Sequence, residues 1–337
     1  MALFLYPLER ESYYSLLRRT IYVYQMKLRE FLGLFDYKSK GFSPFVDYVN
    51  HTLEISKKLE NHIGFDELLT RHTLYNLTSH FFNDDYKHKF YEGLVSNTIN
   101  TDLSLRFRLL YRNTVNIMWP KALILKNRFC PQCVLEQKQN YGTTWLRIEW
   151  AIPGLELCPK CKSRLVYPDL INYDLICDEL TESPCKDVNY ANKKPVFFME
   201  NVMAILNKEV TAVDSNLVFD YMLERLIEND VTDCRYKEKT IKAQFKIVPI
   251  NRELLRDILY DFWGQEFIGM HYRSGDWKDV GIPYELMNGE NIQSTYLSRW
   301  FYALVTLLAL SPGKNIRQII QEIKKKKKCN KHIKLFY

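Results

Sequence analysis

Apolar residues recur at helical spacing along most of the chain. Tyr13, Leu16, Leu17 and Tyr24 fall near one face of a first helix, a pattern that Gly33 breaks, and Leu53, Ile55, Leu59 and Ile63 form a second amphipathic set. Further on, Asn251 is placed to cap a helix whose apolar stripe is Leu254, Leu255, Ile258, Leu259 and Phe262, and Gly264 is placed to end it. Residues 263–289, with several glycines and a proline, read as irregular connections. An apolar helix follows over 300–310, then a Ser311-Pro312-Gly313 break, then an amphipathic helix carrying Ile316, Ile319, Ile320 and Ile323. Between these helical regions, residues 171–195 are polar and irregular, with Pro184, Asn189, Asn192 and the Lys193-Lys194 pair, as expected of a linker. No internal repeat is visible. The expected fold is mainly α, and the turn glycines of the first region suit a helix-turn-helix arrangement without proving a DNA-reading one.

Two C-x2-C pairs change this picture. Cys130 with Cys133 and Cys158 with Cys161 are separated by 24 residues, and each pair can bring two sulfurs onto one ion with little strain. Four thiolates close a tetrahedral cage with no open position for water, so the expected metal is a structural zinc, worth about 10 kcal/mol or more of folding free energy in small zinc modules. The alternatives are unpaired buried cysteines, a thioredoxin-like redox pair or a zinc deaminase. A redox motif needs one C-x-x-C in a βαβ setting. A deaminase needs H-x-E, and none of the seven histidines is followed two residues later by glutamate. Cys177 and Cys185 stand seven residues apart without a second pair, which makes a weak site, and Cys234 and Cys329 read as ordinary thiols.

The residues around the cysteines resemble the TniQ/TnsD family of transposon target-selection proteins. The features that carry the resemblance are Phe129 and Pro131 around the first cysteine, Tyr141-Gly142, the aromatic stretch from Trp145 to Trp150, Pro153, and Cys158-Pro159-Lys160 followed by Leu165. The fourth ligand position in this family is often histidine; here it is Cys161, and both ligands suit zinc. Three weaker matches extend the likeness. Pro7, Glu11, Tyr14-Ser15 and Arg19 are similar to the family's opening pattern. His72-Thr73-Leu74-Tyr75 resembles a stretch of the TnsD branch, and 257–268 and 300–310 look like helical segments that follow its zinc module. Longer TnsD members continue past Tyr337, so the chain corresponds either to a shortened member or to a short subtype. The resemblance implies an N-terminal helical TniQ-type domain (1–119), a zinc-binding module (120–170), the polar linker (171–195) and a C-terminal helical TnsD-like domain with a basic tail (196–337).

Charge narrows the partner. Lysine and arginine exceed aspartate and glutamate by 47 to 40, a net +7, which suits a polyanion. The strongest local signal is 103–129, which holds Arg106, Arg108, Arg112, Lys121, Lys126 and Arg128 and no acidic residue, interleaved with Phe107, Tyr111 and Trp119. Those six cations are the candidate DNA contacts. The other reading is a solvated helix face leading into the zinc module. Arg18 and Arg19 divide in the same way between phosphate contact and a polar helix face. Lys324 to Lys328 form a second patch, and a like-charged run at a terminus is expected to be disordered and to add sequence-independent affinity.

The apolar start is too short for a signal peptide, and the 11-residue run at 300–310 is too short to span a bilayer, so the expected location is cytoplasmic and nucleoid-associated, where reduced cysteines favour metal over disulfides. No P-loop, G-x-S-x-G, H-E-x-x-H or EF-hand pattern occurs, and no carboxylate triad can be assigned, so no active site is expected. The resemblance implies an adaptor that binds a target DNA attachment site and recruits the transposon's AAA+ ATPase regulator, which brings the transposase complex. Three alternatives remain open: a stand-alone zinc-binding transcription regulator, a TniQ-type bridge to an RNA-guided effector complex, and a zinc-dependent nuclease or hydrolase.

Overall fold

A computed structural model of the chain describes residues 5–27, 30, 63–81, 87–88, 91–92, 128–152, 154–166, 193–232, 251–271 and 299–333. Within these residues the protein is mainly helical, and its only β pairing is three isolated antiparallel bridges. The chain divides into two compact units. The first comprises Met1–Tyr75, Glu92–Ile99 and Ala122–Glu200, and the second Asn76–Tyr91, Asn100–Lys121 and Asn201–Tyr337. Of the domain boundaries expected from sequence, 119/120 and 170/171 lie outside the described residues, and 195/196 falls in the first turn of a helix that starts at Lys194.

In the first unit, helix α1 (Tyr13–Val23) begins where Ser12 caps it, its hydroxyl accepting from the Ser15 amide at 3.2 Å. Tyr13, Leu16, Leu17 and Ile21 form its buried face. Tyr24, expected on that face, is instead the exposed C-cap; the helix ends one residue earlier, and Thr20 and Ile21 fill the last buried positions. Ahead of α1, Glu11 is fully buried and gathers donors: the Leu8 amide at 3.0 Å, the Ser15 hydroxyl at 3.1 Å, and Arg19 at 3.0 and 2.8 Å. Spacings of four and eight residues put Ser15 and Arg19 on the helix face nearest Glu11. Arg19 also donates to the Tyr6 carbonyl at 2.7 Å, so it is a structural partner of the arm. Helix α2 (Phe65–His72) buries Leu68, Leu69 and His72, and the His72 Nδ1 lies 2.6 Å from the Glu11 carbonyl. The histidine of the His72-Thr73-Leu74-Tyr75 stretch therefore ties α2 to the arm before α1. The short helix α3 (Tyr75–Thr78) follows, and its residues from Asn76 on belong to the second unit.

The second unit is built on apolar helices. Helix α5 (Lys194–Leu206) enters it, α6 (Ser215–Glu228) follows, and then come α7 (Arg252–Trp263), α8 (Gln265–His271), α9 (Arg299–Ala309) and α10 (Ile316–Ile333). Helix α4 (Pro131–Tyr141) belongs to the first unit. Helix α7 packs on α8 and α9, and α10 on α6 and α9. Asn251 caps α7 as expected, accepting from Leu254 N at 3.1 Å, and Gly264 ends it at a φ of 90°. The expected irregular connection at 263–289 begins with order: Trp263 closes α7 and α8 follows directly. Trp263 is buried, donates to the Val305 carbonyl at 3.0 Å, and stacks on Phe267, whose ring stacks in turn on Phe301. Ile316, Ile319, Ile320 and Ile323 are all buried. A reciprocal cap between Asn315 and Gln318 starts α10, at 2.9 and 3.0 Å, and the Asn201 side chain accepts the Ile316 amide.

The lysine run does not follow the expectation of disorder; it continues α10. Four buried isoleucines anchor the helix, lysine is a good helix former, and Lys326 finds Glu224 while Lys324 finds the Thr211 hydroxyl. The Lys326 ammonium also lies 5.4 Å from the centre of the Tyr221 ring. Gly33, Leu53, Ile55, Leu59, Cys177, Cys185 and Cys234 lie outside the described residues. No helix among the described residues is long and apolar enough to cross a membrane.

His80 gives the second unit a pH dependence. Its ring is buried, packs edge-on against Phe81 and, among the described residues, has no hydrogen-bond partner at Nε2. Burial, reinforced by the Lys87 and Lys324 charges, pushes its pKa down to about 4. Because the folded value lies below the unfolded one near 6.5, the neutral ring's contribution to stability is complete above pH 6.5 and is lost as pH falls towards 4. The melting temperature should therefore drop across that window in the native protein and much less in His80→Gln. Equal pH profiles for the two would contradict the assignment.

Candidate metal centre

Both cysteine pairs sit on turns that the local sequence dictates. Cys130 is the extended N-cap of α4, Pro131 occupies the first helical position, and Cys133 falls in the first turn. Gly142 ends α4 in the left-handed conformation, φ 67°, its amide donating to Lys138 O at 3.0 Å. The second turn is a tight hairpin: Leu157 bridges Arg164, the Cys158 amide donates to Ser163 O at 2.8 Å, and the Lys162 amide to Cys158 O at 2.8 Å. A further bridge, Phe129 to Val166 at 3.0 and 2.9 Å, ties the chain just before the first turn to the chain just after the second. The two turns are thereby brought face to face.

The sulfurs meet as a compact cluster. Cys130 to Cys161 is 3.1 Å, Cys133 to Cys158 is 3.5 Å and Cys133 to Cys161 is 3.9 Å, and all four sulfurs lie within 4.8 Å of one another. A tetrahedral site with metal–sulfur bonds of about 2.3 Å has sulfurs about 3.8 Å apart, so the cluster has the dimensions of a four-thiolate cage. Three of the cysteines are buried and Cys161 is partly exposed. The four residues could hold one metal ion, and thiolate softness selects zinc-like ions over calcium or magnesium. Two contacts outside the cluster clip the turns together: Lys160 to Glu136 at 2.5 Å, and Ser163 to Gln132 at 2.8 Å.

The electrostatics of the bare thiols point the same way. Hydrogen bonds from Cys130 and Cys133 pull the Cys158 thiol down to about 7 and Cys161 well below its ordinary range, while Cys133 is pushed far up by the hydrogen bonds it shares with Cys130, Cys158 and Cys161. A divalent cation bound by four deprotonated sulfurs would replace these hydrogen bonds with metal–thiolate bonds. Arg147 stands nearby. Burial opposes its charge, but Glu149 and, at longer range, Glu9 and the Cys133 sulfur hold it protonated.

The segment between the two turns receives the N-terminal arm. The Ser12 amide donates to Leu146 O at 2.7 Å, the Ile148 amide to Arg10 O at 2.8 Å, the Leu146 amide to the Ser15 hydroxyl at 2.9 Å, and the Trp145 indole to Glu9 O at 3.0 Å. Glu149, almost fully buried at the head of a 3-10 turn (Ile148–Ala151), accepts from Arg10 at 3.0 Å and Arg147 at 2.7 Å. Gln137 on α4 holds the Trp145 amide at 3.1 Å. Arm, aromatic stretch and cysteine turns are thus one hydrogen-bonded body.

Of the expected DNA contacts, Arg106, Arg108, Arg112, Lys121 and Lys126 lie outside the described residues. Arg128 is described: its guanidinium donates to Leu155 O at 2.5 Å and to Ile152 O, bracing the loop between the cysteine turns. Sequence reading missed the buried charges Glu11, Arg147 and Glu149 as parts of this body. The signal available was the Glu11, Ser15, Arg19 spacing, which places three polar residues on one helix face.

Residues 2–165 match the TniQ family, just under half of the chain, and this match supports the TniQ family as the relationship of the N-terminal portion. No curated protein matches the chain. The matched stretch takes in the arm and both cysteine turns, ending at Leu165, whose amide pairs with Glu156 O.

Cys158→Ser should lose the bound metal and melt the first unit, because one missing ligand opens the cage; unchanged zinc content and melting temperature would contradict the site. Glu11→Ala should cost about 3 kcal/mol in urea unfolding, since it strands the Arg19 charge and the Leu8 amide together. A loss below about 0.5 kcal/mol, the range of ordinary surface changes, would show that the network does not hold the arm.

Proposed function

We propose that this protein is a zinc-containing target-selection adaptor of DNA transposition. It binds a target DNA site, recruits an AAA+ ATPase regulator, and leaves bond-making and bond-breaking to the transposase that the regulator brings. One observation carries this reading: the TniQ match spans the body in which the N-terminal arm docks between two cysteine turns that could hold one ion. Zinc suits that site, since it is content with four thiolates and tetrahedral geometry. Its role is to cross-link Cys130, Cys133, Cys158 and Cys161. The protein's own residues do the rest: Glu11, Arg19, Arg147 and Glu149 fix the arm, and the cationic segment at 103–129 supplies the affinity for phosphate.

Within the family, the likeness of His72-Thr73-Leu74-Tyr75 and of the helices after the cysteine turns to the TnsD branch supports direct DNA binding over docking on an RNA-guided complex. The zinc-loaded protein, offered a tiled library of host DNA with and without the candidate ATPase, should select one site that survives physiological salt. Weak, salt-labile binding with firm ATPase association would instead make it a bridge to another target reader. Replacing Arg106, Arg108 and Arg112 by alanine should weaken DNA binding and flatten its salt dependence by about 0.9 log units per lost phosphate contact. An unchanged slope would reassign the segment to structure.

A further inference from the structure

The four sulfur-bearing residues of the cysteine cluster differ in their access to solvent. Cys130, Cys133 and Cys158 are buried, with exposures of 0%, 2% and 0%, while Cys161 in the second turn is partly exposed. The Cys161 sulfur lies 3.1 Å from that of Cys130 and 3.9 Å from that of Cys133. Cys130 and Cys161 belong to different turns, and a disulfide between them needs the two sulfurs to close by about 1 Å, to roughly 2.05 Å. Rotation of the side chains covers that distance, and the Phe129 to Val166 bridge holds the two turns face to face while the bond forms. A solvent-accessible thiolate with a second sulfur in reach is the arrangement on which peroxide acts, the first sulfur taking the oxygen and the second resolving it.

We propose that Cys161 is an oxidation site resolved by Cys130, so that hydrogen peroxide discharges the metal centre and leaves a disulfide between the two turns. The inference rests on the metal reading of the cluster and is independent of DNA binding. In the first step the Cys161 thiolate gives an electron pair to one peroxide oxygen; the O–O bond breaks, hydroxide leaves and a sulfenic acid forms. In the second the Cys130 thiolate attacks that sulfur; the S–S bond forms, the S–O bond breaks and a second hydroxide leaves. Two protons from solvent turn both hydroxides into water. Two electrons have passed from the sulfur pair to the peroxide, and no other reductant is needed. Cys133 and Cys158, 3.5 Å apart, then remain as the two thiolates of the cluster, and two ligands hold zinc far more weakly than four. The disulfide keeps the turns tied, so a thiol reductant and zinc restore the site.

The test treats the full-length, zinc-loaded chain with hydrogen peroxide, follows zinc release with a chromophoric chelator, and maps disulfides by peptide mass spectrometry. Zinc should leave in step with formation of the Cys130–Cys161 disulfide, and dithiothreitol with added zinc should reverse both. In Cys161→His the imidazole still suits zinc but forms no disulfide, so the variant should keep its zinc and lose it to peroxide at least about tenfold more slowly. A native protein that keeps its zinc in peroxide, or releases it with a disulfide other than Cys130–Cys161, overturns the proposal while leaving the metal site standing. A native protein that binds no zinc when purified under reducing conditions overturns both. Should Cys161→His fail to hold zinc, the disulfide map of the native chain decides alone: Cys130 joined to Cys161 supports the proposal, and any other pairing overturns it.

Discussion

Four sulfurs held within 4.8 Å of one another are the constraint on which the first unit depends. Four thiolates at that spacing repel one another, and a single divalent ion, which the cluster could hold, would cancel that repulsion. Once the turns at Cys130–Cys133 and Cys158–Cys161 face each other, the chain between them must go out along α4, reverse at Gly142 and return through the Trp145 to Leu157 stretch. That return path presents the backbone on which residues 9–15 dock. The facing cysteine turns therefore shape the surface on which the N-terminus docks.

The docking itself uses buried charge more than apolar area. Glu11 and Glu149 are almost wholly removed from solvent, and each is met by two or more donors from arginine, hydroxyl or amide. Such pairs add little net stability compared with apolar packing, because desolvation offsets most of the Coulomb gain. Their effect is specificity. An arm shifted by one residue would carry Arg10 away from the buried Glu149 carboxylate, at a cost of several kcal/mol. The N-terminal position is thus fixed in register against the cysteine turns.

The cysteine cluster was legible because its ligands come in fixed local spacing, and the α7 cap and α10 isoleucine stripe because helical periodicity is local too. The rest was hidden for stated reasons. Glu11 enters only as part of the family's opening pattern, and Arg147 and Glu149 have no assigned role, since nothing in a single sequence tells that the partner of Glu149, Arg10, lies 139 residues away. Trp263 and α8 read as an irregular connection because several glycines and a proline fall in 263–289, yet α8 starts directly after Gly264, the expected end of α7. The lysine run read as disordered because its anchors, Glu224 and Thr211, are about a hundred residues away. Tertiary partners decided each of these.

The account's central claim is that metal and N-terminal arm form one cooperative body. Amide hydrogen exchange of the full-length protein, before and after metal removal by a chelator under reducing conditions, tests it most directly. The account predicts about one zinc per chain at the start. On its removal, the Ser12, Leu146 and Ile148 amides should lose protection together with those of Cys158 and Val166. Arm amides that stay protected after the metal has gone would contradict it.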